Sequence, residues 1–247
     1  TLVTVIVAMP IRMGYTDYHE HDRTGNYVAW DYAYNMLNSC KPNGIIFTNG
    51  DNDTFPLWYI QEVEGVRKDV RVVNLSLLNT PWYIEQLKNQ EPKIPLNLKD
   101  SHIAQMDPIV GTGLALGKWT SEWASMKQQL AAYFSKEGMR YNIREHGIPM
   151  EWANIPATVE YHNKPLEITI KPTISNYLRV QDIMVLEIID DIEVDRPVYF
   201  AVTVSPSNRM NLDRYLEMEG LVYHLTGTET PEGTMSPRIN YTRMKNL

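Results

Sequence analysis

The chain has 247 residues, of which 43% are hydrophobic and 21% charged, which is the composition of an ordinary folded protein with a sizeable core. Its net charge of −7 argues against a general nucleic-acid-binding surface. Cys40 is the only cysteine, which excludes an internal disulfide framework and a metal site built from cysteines.

Residues 1–13 begin with an apolar run, TLVTVIVAMPI, that is too short to cross a bilayer, which needs about 20 apolar residues. No basic segment precedes the run, so it does not have the pattern of a signal peptide. Two alternatives stay open for it, the tail of a transmembrane helix or a first β-strand, and its β-branched residues favour the strand. Residues 14–247 are expected to form a single α/β domain.

Predicted helices and strands alternate after this run. They are a helix over 27–37, a strand over 44–48, a helix over 55–64, a strand over 70–75 and a helix that begins at Thr80 and Pro81. The nearly continuous apolar run at 70–75 is typical of a strand that is buried on both faces. Both strand–helix units continue with Thr, Pro, Trp, Tyr and Ile, which indicates similar packing of the two helices.

The stretch 89–172 interrupts this alternation. Its first part is rich in Pro, Asn and Gly, an amphipathic helix is predicted over 119–134, and a hairpin is predicted from strands at 158–161 and 166–170. We therefore interpret 89–172 as an insertion that forms a cap over the sheet.

The alternation then returns with a helix over 178–190, a strand over 197–204, a helix over 212–219 and a strand over 221–225. Alternating strands and helices predict an α/β fold with a mostly parallel sheet and helices on both faces. The predicted fold is Rossmann-like and three-layered, with an inserted irregular or helical cap and a small hairpin.

The turn after the first strand of the sheet is the densest group of polar residues in the chain. It contains Asn49, Asp51, Asn52, Asp53 and Thr54. The carboxylate and amide oxygens could bind a divalent cation, or they could bind the hydroxyls of a sugar. A third alternative is purely structural, because Asp, Asn and Gly favour tight turns and helix caps.

Polar residues also follow the other predicted parallel strands. Ser76, Asn79 and Thr80 follow the second, and Thr203, Ser205, Asn208 and Arg209 follow the third. Carboxyl ends of parallel strands meet at one edge of a sheet, so we expect these residues to share a rim with Asp51 and Asp53.

A second polar cluster includes His21, Asp22 and Arg23. Metal binding is one alternative, although nothing else in the sequence completes such a site. The others are a solvated loop or charge-paired helix start, and a supporting role beside the first strand's turn. Neither a cofactor nor a metal is therefore assigned, and a divalent cation stays only an alternative.

Six segments of the chain carry a resemblance to a known family. They are HDR at 21–23, YAYN at 32–35, the runs 47–65 and 69–83, RPVYFA at 196–201 and EGLVY at 219–223. These segments resemble a family of large bacterial multi-pass membrane proteins, found mostly in Bacteroidetes. The similar part of that family is its soluble C-terminal part, a domain of unknown function grouped with protein O-mannosyltransferase-like glycosyltransferases.

The resemblance implies that residues 1–11 follow or belong to a transmembrane helix. It also implies a soluble domain that faces the periplasm from the cell inner membrane. In such glycosyltransferases the catalytic acid usually lies among the transmembrane helices, so the resemblance assigns no catalytic residue to this chain.

Three hypotheses follow. The chain could be the domain of a membrane-embedded glycosyltransferase-like protein that binds or positions an acceptor protein or glycan, and would then be inactive alone. It could instead be an enzyme for a polar ligand, or a metal-dependent one, that uses Asp51 and Asp53. It could also be a scaffold module of an envelope complex.

Overall fold

A computed structural model describes residues 2–104, 124–125, 155–170, 179–192 and 195–247. The helices are α1 (Leu2–His21), α2 (Val28–Ser39), α3 (Asp51–Glu62), α4 (Pro81–Asn89), α5 (Asp100–Ile103), α6 (Val180–Asp191) and α7 (Tyr241–Met244). The strands are β1 (Ile45–Thr48), β2 (Arg71–Asn74), β3 (Ala124–Ser125), β4 (Ile155–Tyr161), β5 (Lys164–Ile170), β6 (Val198–Ala201), β7 (Leu216–Glu219), β8 (Val222–Leu225) and β9 (Arg238–Ile239).

The larger sheet has the strand order β2-β1-β6-β8-β7-β9. β1 is parallel to β2 and β6, β8 is antiparallel to β6 and β7, and β9 is parallel to β7. Every residue of β1 and β6 is buried. Because neighbouring side chains of a strand point to opposite faces, both faces of the sheet centre are covered. The predicted α/β fold with a mostly parallel sheet is therefore confirmed.

Helices α2 and α3 pack against each other. The buried positions of α2 are Ala33, Met36 and Leu37, and those of α3 include Leu57 and Ile60, which follow the three- and four-residue spacing of a helix face. Their apolar side chains join the same core as β1 and β6. This packing fixes the first turn of α3 at the end of β1.

Helix α6 is buried from Val180 to Asp190, and its buried residues include both apolar and charged side chains. It contacts β4 and the 3₁₀ turn Leu77–Asn79 that follows β2. Its polar residues take part in specific contacts: Asp182 pairs with Arg179 at the start of the helix, and Asp190 accepts the backbone N–H of Glu160 at 2.7 Å. Paired in this way, buried carboxylates are tolerated in the core.

Part of the stretch 89–172 can be compared with its predictions. The hairpin is confirmed, since β4 and β5 form an antiparallel pair. The predicted helix over 119–134 lies outside the described residues, apart from Ala124–Ser125, which form a strand parallel to β4. The extent of the insertion stays a prediction.

The predicted helix over 212–219 is wrong. A 3₁₀ turn, Asp213–Tyr215, leads instead into β7, which pairs with β8 in an antiparallel hairpin. Gly220 lies between the paired strands β7 and β8, and with a φ of 65° it forms part of the hairpin turn. A side chain there would also clash with the Oγ of Ser39.

The first-strand alternative for residues 1–13 is also wrong, because residues 2–13 lie in α1. Val5, Ile6 and Ile11 are each more than half exposed. Within the described residues, none of the helices combines the length and the hydropathy that crossing a membrane requires.

Candidate functional site

The turn after β1 leads directly into α3. Gly50 precedes the helix with a φ of 76°, a conformation that favours glycine. Asp51 and Asp53 lie in the first helical turn, where a negative charge interacts favourably with the helix dipole. The helix therefore begins at Asp51 rather than at the predicted Phe55, and Pro56 lies inside it.

Asp53 connects three elements at the carboxyl edge of the sheet. Its side chain is buried, with the residue 5% exposed. The hydroxyl of Thr203, beyond the end of β6, donates to Oδ2, and the hydroxyl of Tyr32 on α2 lies 3.5 Å from Oδ1. Burial, followed by the negative charge of Asp53, raises the pKa of Tyr32, so this phenol remains a hydrogen-bond donor at neutral pH.

A second polar network joins α3 to β1 and β2. The hydroxyl of Thr54 lies 2.8 Å from that of Thr48 and donates to the carbonyl of Gly50 at 2.7 Å. The side-chain amide of Asn74 donates to the Thr54 hydroxyl at 2.9 Å, and its carbonyl oxygen accepts the N–H of Leu77 at 3.0 Å. These contacts leave the buried Thr54 and Asn74 engaged within the fold.

The remaining predicted residues of this turn face solvent. Asn49, Asp51 and Asn52 are exposed. Asp51 and Asp53 are two positions apart on a helix, and such residues do not face each other. Within the described ranges, no group of three or more His, Cys, Asp or Glu side chains could hold a metal ion. The geometry therefore gives no support to a cation shared by these two carboxylates.

Of the predicted residues after β2, Asn79 contacts the start of α6. Its side-chain oxygen Oδ1 accepts the backbone N–H of Gln181 at 3.0 Å, which connects the turn to that helix. Ser76 is exposed, and its backbone carbonyl accepts the N–H of Asn79 at 3.3 Å. Asn79 thus positions a helix, while Ser76 remains open to solvent.

Residues after β6 also have structural contacts. Asn208 accepts a hydrogen bond from Arg179 at 2.7 Å. Arg209 is buried, pairs with Asp213 at 3.1 Å, and lies over the ring of Tyr223 at 4.6 Å. Burial raises the pKa of Asp213 although Arg209 opposes this shift. The contacts of these polar residues at the rim thus mainly connect secondary-structure elements to one another.

The cluster at 21–23 makes local contacts only. His21 Nδ1 lies 2.9 Å from the carbonyl of Asp17, Asp22 accepts the N–H of Thr24 at 2.8 Å, and Arg23 donates to the carbonyl of Glu20 at 3.1 Å. All three residues are exposed at the end of α1 and the following turn. These bonds close the end of the helix, as in the helix-start or loop alternative.

A groove of about 830 Å³ lies beside β2, between α3 and α4. Its aromatic lining is Trp58 from α3 with Trp82 and Tyr83 from α4. These residues are not among those that the sequence predicts as a site. The signal that the sequence offers is the Trp-Tyr-Ile shared by the two strand–helix units, which by itself indicates only similar packing.

The edge of β2 that faces the groove is closed by a side chain. The hydroxyl of Tyr83 accepts the N–H of Asn74 at 3.0 Å and donates to the carbonyl of Val72 at 3.4 Å. It thereby replaces two contacts that a neighbouring strand would make. Burial raises the pKa of Tyr83, so the hydroxyl keeps its proton at neutral pH.

These observations define a mixed α/β domain with a polar rim at the carboxyl ends of its parallel strands and a separate aromatic groove. The chain belongs to the family described as TMEM260-associated domain 2, whose family model matches residues 29–243. This match shows the family alone, which is the coarser part of the predicted relationship.

One curated relative is the Protein O-mannosyl-transferase TMEM260 of Mus musculus, which is 30% identical to the chain over 80 residues. These residues are 32% of this chain and 11% of the relative, so the similarity spans about a tenth of the relative's length. No solved structure matches the chain.

Proposed function

We propose that this chain is a soluble extracytoplasmic domain of a membrane-embedded glycosyltransferase-like protein, in which it binds or positions the acceptor protein or glycan. The observation that carries the proposal is the family match over residues 29–243. The name of the Mus musculus relative supports O-mannosyl transfer as the reaction of the whole protein. In Bacteroidetes, such a protein would lie in the cell inner membrane with this domain in the periplasm.

Association with the membrane is supported by α1. Its side chains Val5, Ile6, Met9 and Ile11 are between 52% and 68% exposed, which is unfavourable for a helix that stays in water. Contact with lipid or with a membrane-embedded part of the same protein would cover them. The helix lies before residue 29, where the family match begins.

The contacts of the residues at the polar rim support the proposal that this domain does not itself transfer the sugar. Asp53 accepts hydrogen bonds from Thr203 and Tyr32, and Thr54 and Asn74 are engaged with each other. A carboxylate that must act as a base needs to reach the substrate. Asp53 instead holds the fold together, and the groove beside β2 offers room for an acceptor.

The experiment uses the purified 247-residue chain with a lipid-linked sugar donor and a candidate acceptor protein. We expect the acceptor to bind and no sugar to be transferred, because the catalytic groups belong to the rest of the protein. Transfer by this chain alone would contradict the proposal, and so would the absence of any binding to acceptors that the full-length protein modifies.

A further inference from the structure

We propose that the groove between α3 and α4 binds a neutral oligosaccharide, which stacks on the indole rings of Trp58 and Trp82. The inference rests on the proposed function and narrows it, because it names the class of ligand and the surface that holds it. The groove volume of about 830 Å³ is large enough for several sugar rings.

The two indoles provide the apolar part of the site. Trp82 is 56% exposed, and its ring lies 5.6 Å from that of Tyr83 at an angle of 70°. Trp58 is half-buried and packs against the core, which makes it the rigid member of the pair. Sugar rings present C–H groups on one face, and these pack on flat aromatic surfaces that are already fixed in place.

Hydrogen-bonding groups beside the indoles suit hydroxyls, which both donate and accept. The amide nitrogen of Gln86 donates to the amide oxygen of Gln90 at 3.0 Å. This contact orients the pair and leaves the oxygen of Gln86 as an acceptor and the nitrogen of Gln90 as a donor. Both residues line the groove.

Charges in the groove favour a neutral ligand. Glu62 and Glu91 are balanced by Lys68 and Arg71. Lys68 lies 3.9 Å from Glu62, and Arg71 donates to the backbone carbonyl of Glu91 at 3.1 Å. A phosphate-bearing donor would need an excess of positive charge, which the lining does not have.

The closed edge of β2 argues against a peptide strand. A peptide added to the sheet would pair with the carbonyl of Val72 and the N–H of Asn74. Tyr83 already occupies both groups through its hydroxyl. The observations therefore favour a sugar over an extended polypeptide.

The test is calorimetric titration of the full 247-residue chain with neutral tetrasaccharides of mannose, glucose and N-acetylglucosamine, and with a proline-rich peptide. The variants are Trp82→Ala, Gln86→Ala and Trp58→Phe, the last of which keeps an aromatic ring at the core. Tyr59→Ala is the matched control, because Tyr59 lies on α3, is 53% exposed and does not line the groove.

We expect at least one tetrasaccharide to bind, with a loss of about tenfold or more in affinity in Trp82→Ala and an unchanged affinity in Tyr59→Ala. Trp58→Phe should bind more weakly while keeping the wild-type unfolding temperature within a few degrees. Three results would overturn the inference: no binding of any tetrasaccharide, binding that Trp82→Ala leaves intact, or binding of the peptide alone through Trp82.

A failure here can be separated from a failure of the proposed function. If the chain binds acceptor protein but no tetrasaccharide, the ligand assigned to the groove is wrong while the acceptor-positioning role stands. If the chain transfers sugar by itself, the proposed function is wrong whatever the groove binds.

Discussion

Thr203, which follows β6, donates a hydrogen bond to the buried carboxylate of Asp53 in the first turn of α3, although 150 positions separate the two residues in sequence. The contact joins the carboxyl ends of β1 and β6 across the top of the sheet. Polar residues at the strand ends thus connect separate elements, and the free energy of unfolding should depend on these contacts.

Replacing Thr203 by Val keeps the shape of the side chain and removes the donor to Asp53. We expect a loss of about 1–3 kcal/mol in the free energy of unfolding, because a buried carboxylate then loses a partner. A chain of this size should melt about 2–4 °C lower for each kcal/mol lost. Calorimetry or circular dichroism measures this shift. Thr228→Val, at an exposed position, is the control and should stay within about 0.5 kcal/mol.

The contact between Thr54 and Asn74 can be measured by a double-mutant cycle. In Thr54→Val and Asn74→Ala the two losses should not add, and we expect a coupling of about 0.5–3 kcal/mol in urea unfolding. Thr54→Val with Asn79→Ala should be additive within about 0.5 kcal/mol, since Asn79 bonds to Gln181 rather than to Thr54. Additivity in the first cycle would mean that the network between α3 and β2 does not act as a unit.

Removing the hydroxyl of Tyr83 opens the edge of β2. Tyr83→Phe should cost about 1–3 kcal/mol, because the N–H of Asn74 and the carbonyl of Val72 lose their partner. It should also increase concentration-dependent light scattering, since an unprotected edge can pair with another chain. Tyr59→Phe is the control with an exposed phenol. Equal behaviour of the two variants would contradict a protective role of Tyr83.

His162 lies in the turn between β4 and β5, with Nε2 3.1 Å from the carbonyl of Arg196 and its ring stacked on Tyr161. Burial lowers its pKa from the ordinary value of 6.5. In the window between the lowered pKa and 6.5, the unfolded chain binds more protons than the folded chain. The stability of the protein should therefore fall as the pH drops below about 6.5.

Substituting His162 by Asn removes this pH dependence, and Asn tolerates the positive φ of 50° at the position. Unfolding free energies of both proteins at pH 8 report the lost packing alone, and those between pH 5 and 7 report the proton linkage. If the unfolding free energy changes with pH equally in the wild type and in the variant, His162 is excluded as the source of the pH dependence.

The fold could be predicted where local pattern and tertiary burial agree. The apolar run at 70–75 and the Thr-Pro start of α4 depend on nearby residues, and both led to correct elements. The stretch 212–219 could not be predicted in this way, because Gly220 can end a helix or form a hairpin turn. Pairing with β8 decides between the two.

The site was predicted less completely for a related reason. Parallel strands bring their carboxyl ends together, so the meeting of Asp53 and Thr203 follows from topology. Whether a carboxylate then faces solvent or the core depends on a single helix position, as with Asp51 and Asp53. The groove depends on how α3 and α4 flank the same strand, which is a relationship in space that the sequence does not contain locally.

The central claim is that this domain positions the acceptor while the rest of the protein transfers the sugar. The direct measurement is the rate of transfer by the full-length protein over a range of acceptor concentrations, with and without this domain. We predict that deletion raises the KM for the acceptor by about tenfold or more and leaves kcat nearly unchanged, as expected when an interaction that binds substrate and transition state equally is lost. An unchanged KM, or a complete loss of kcat at saturating acceptor, would contradict the claim.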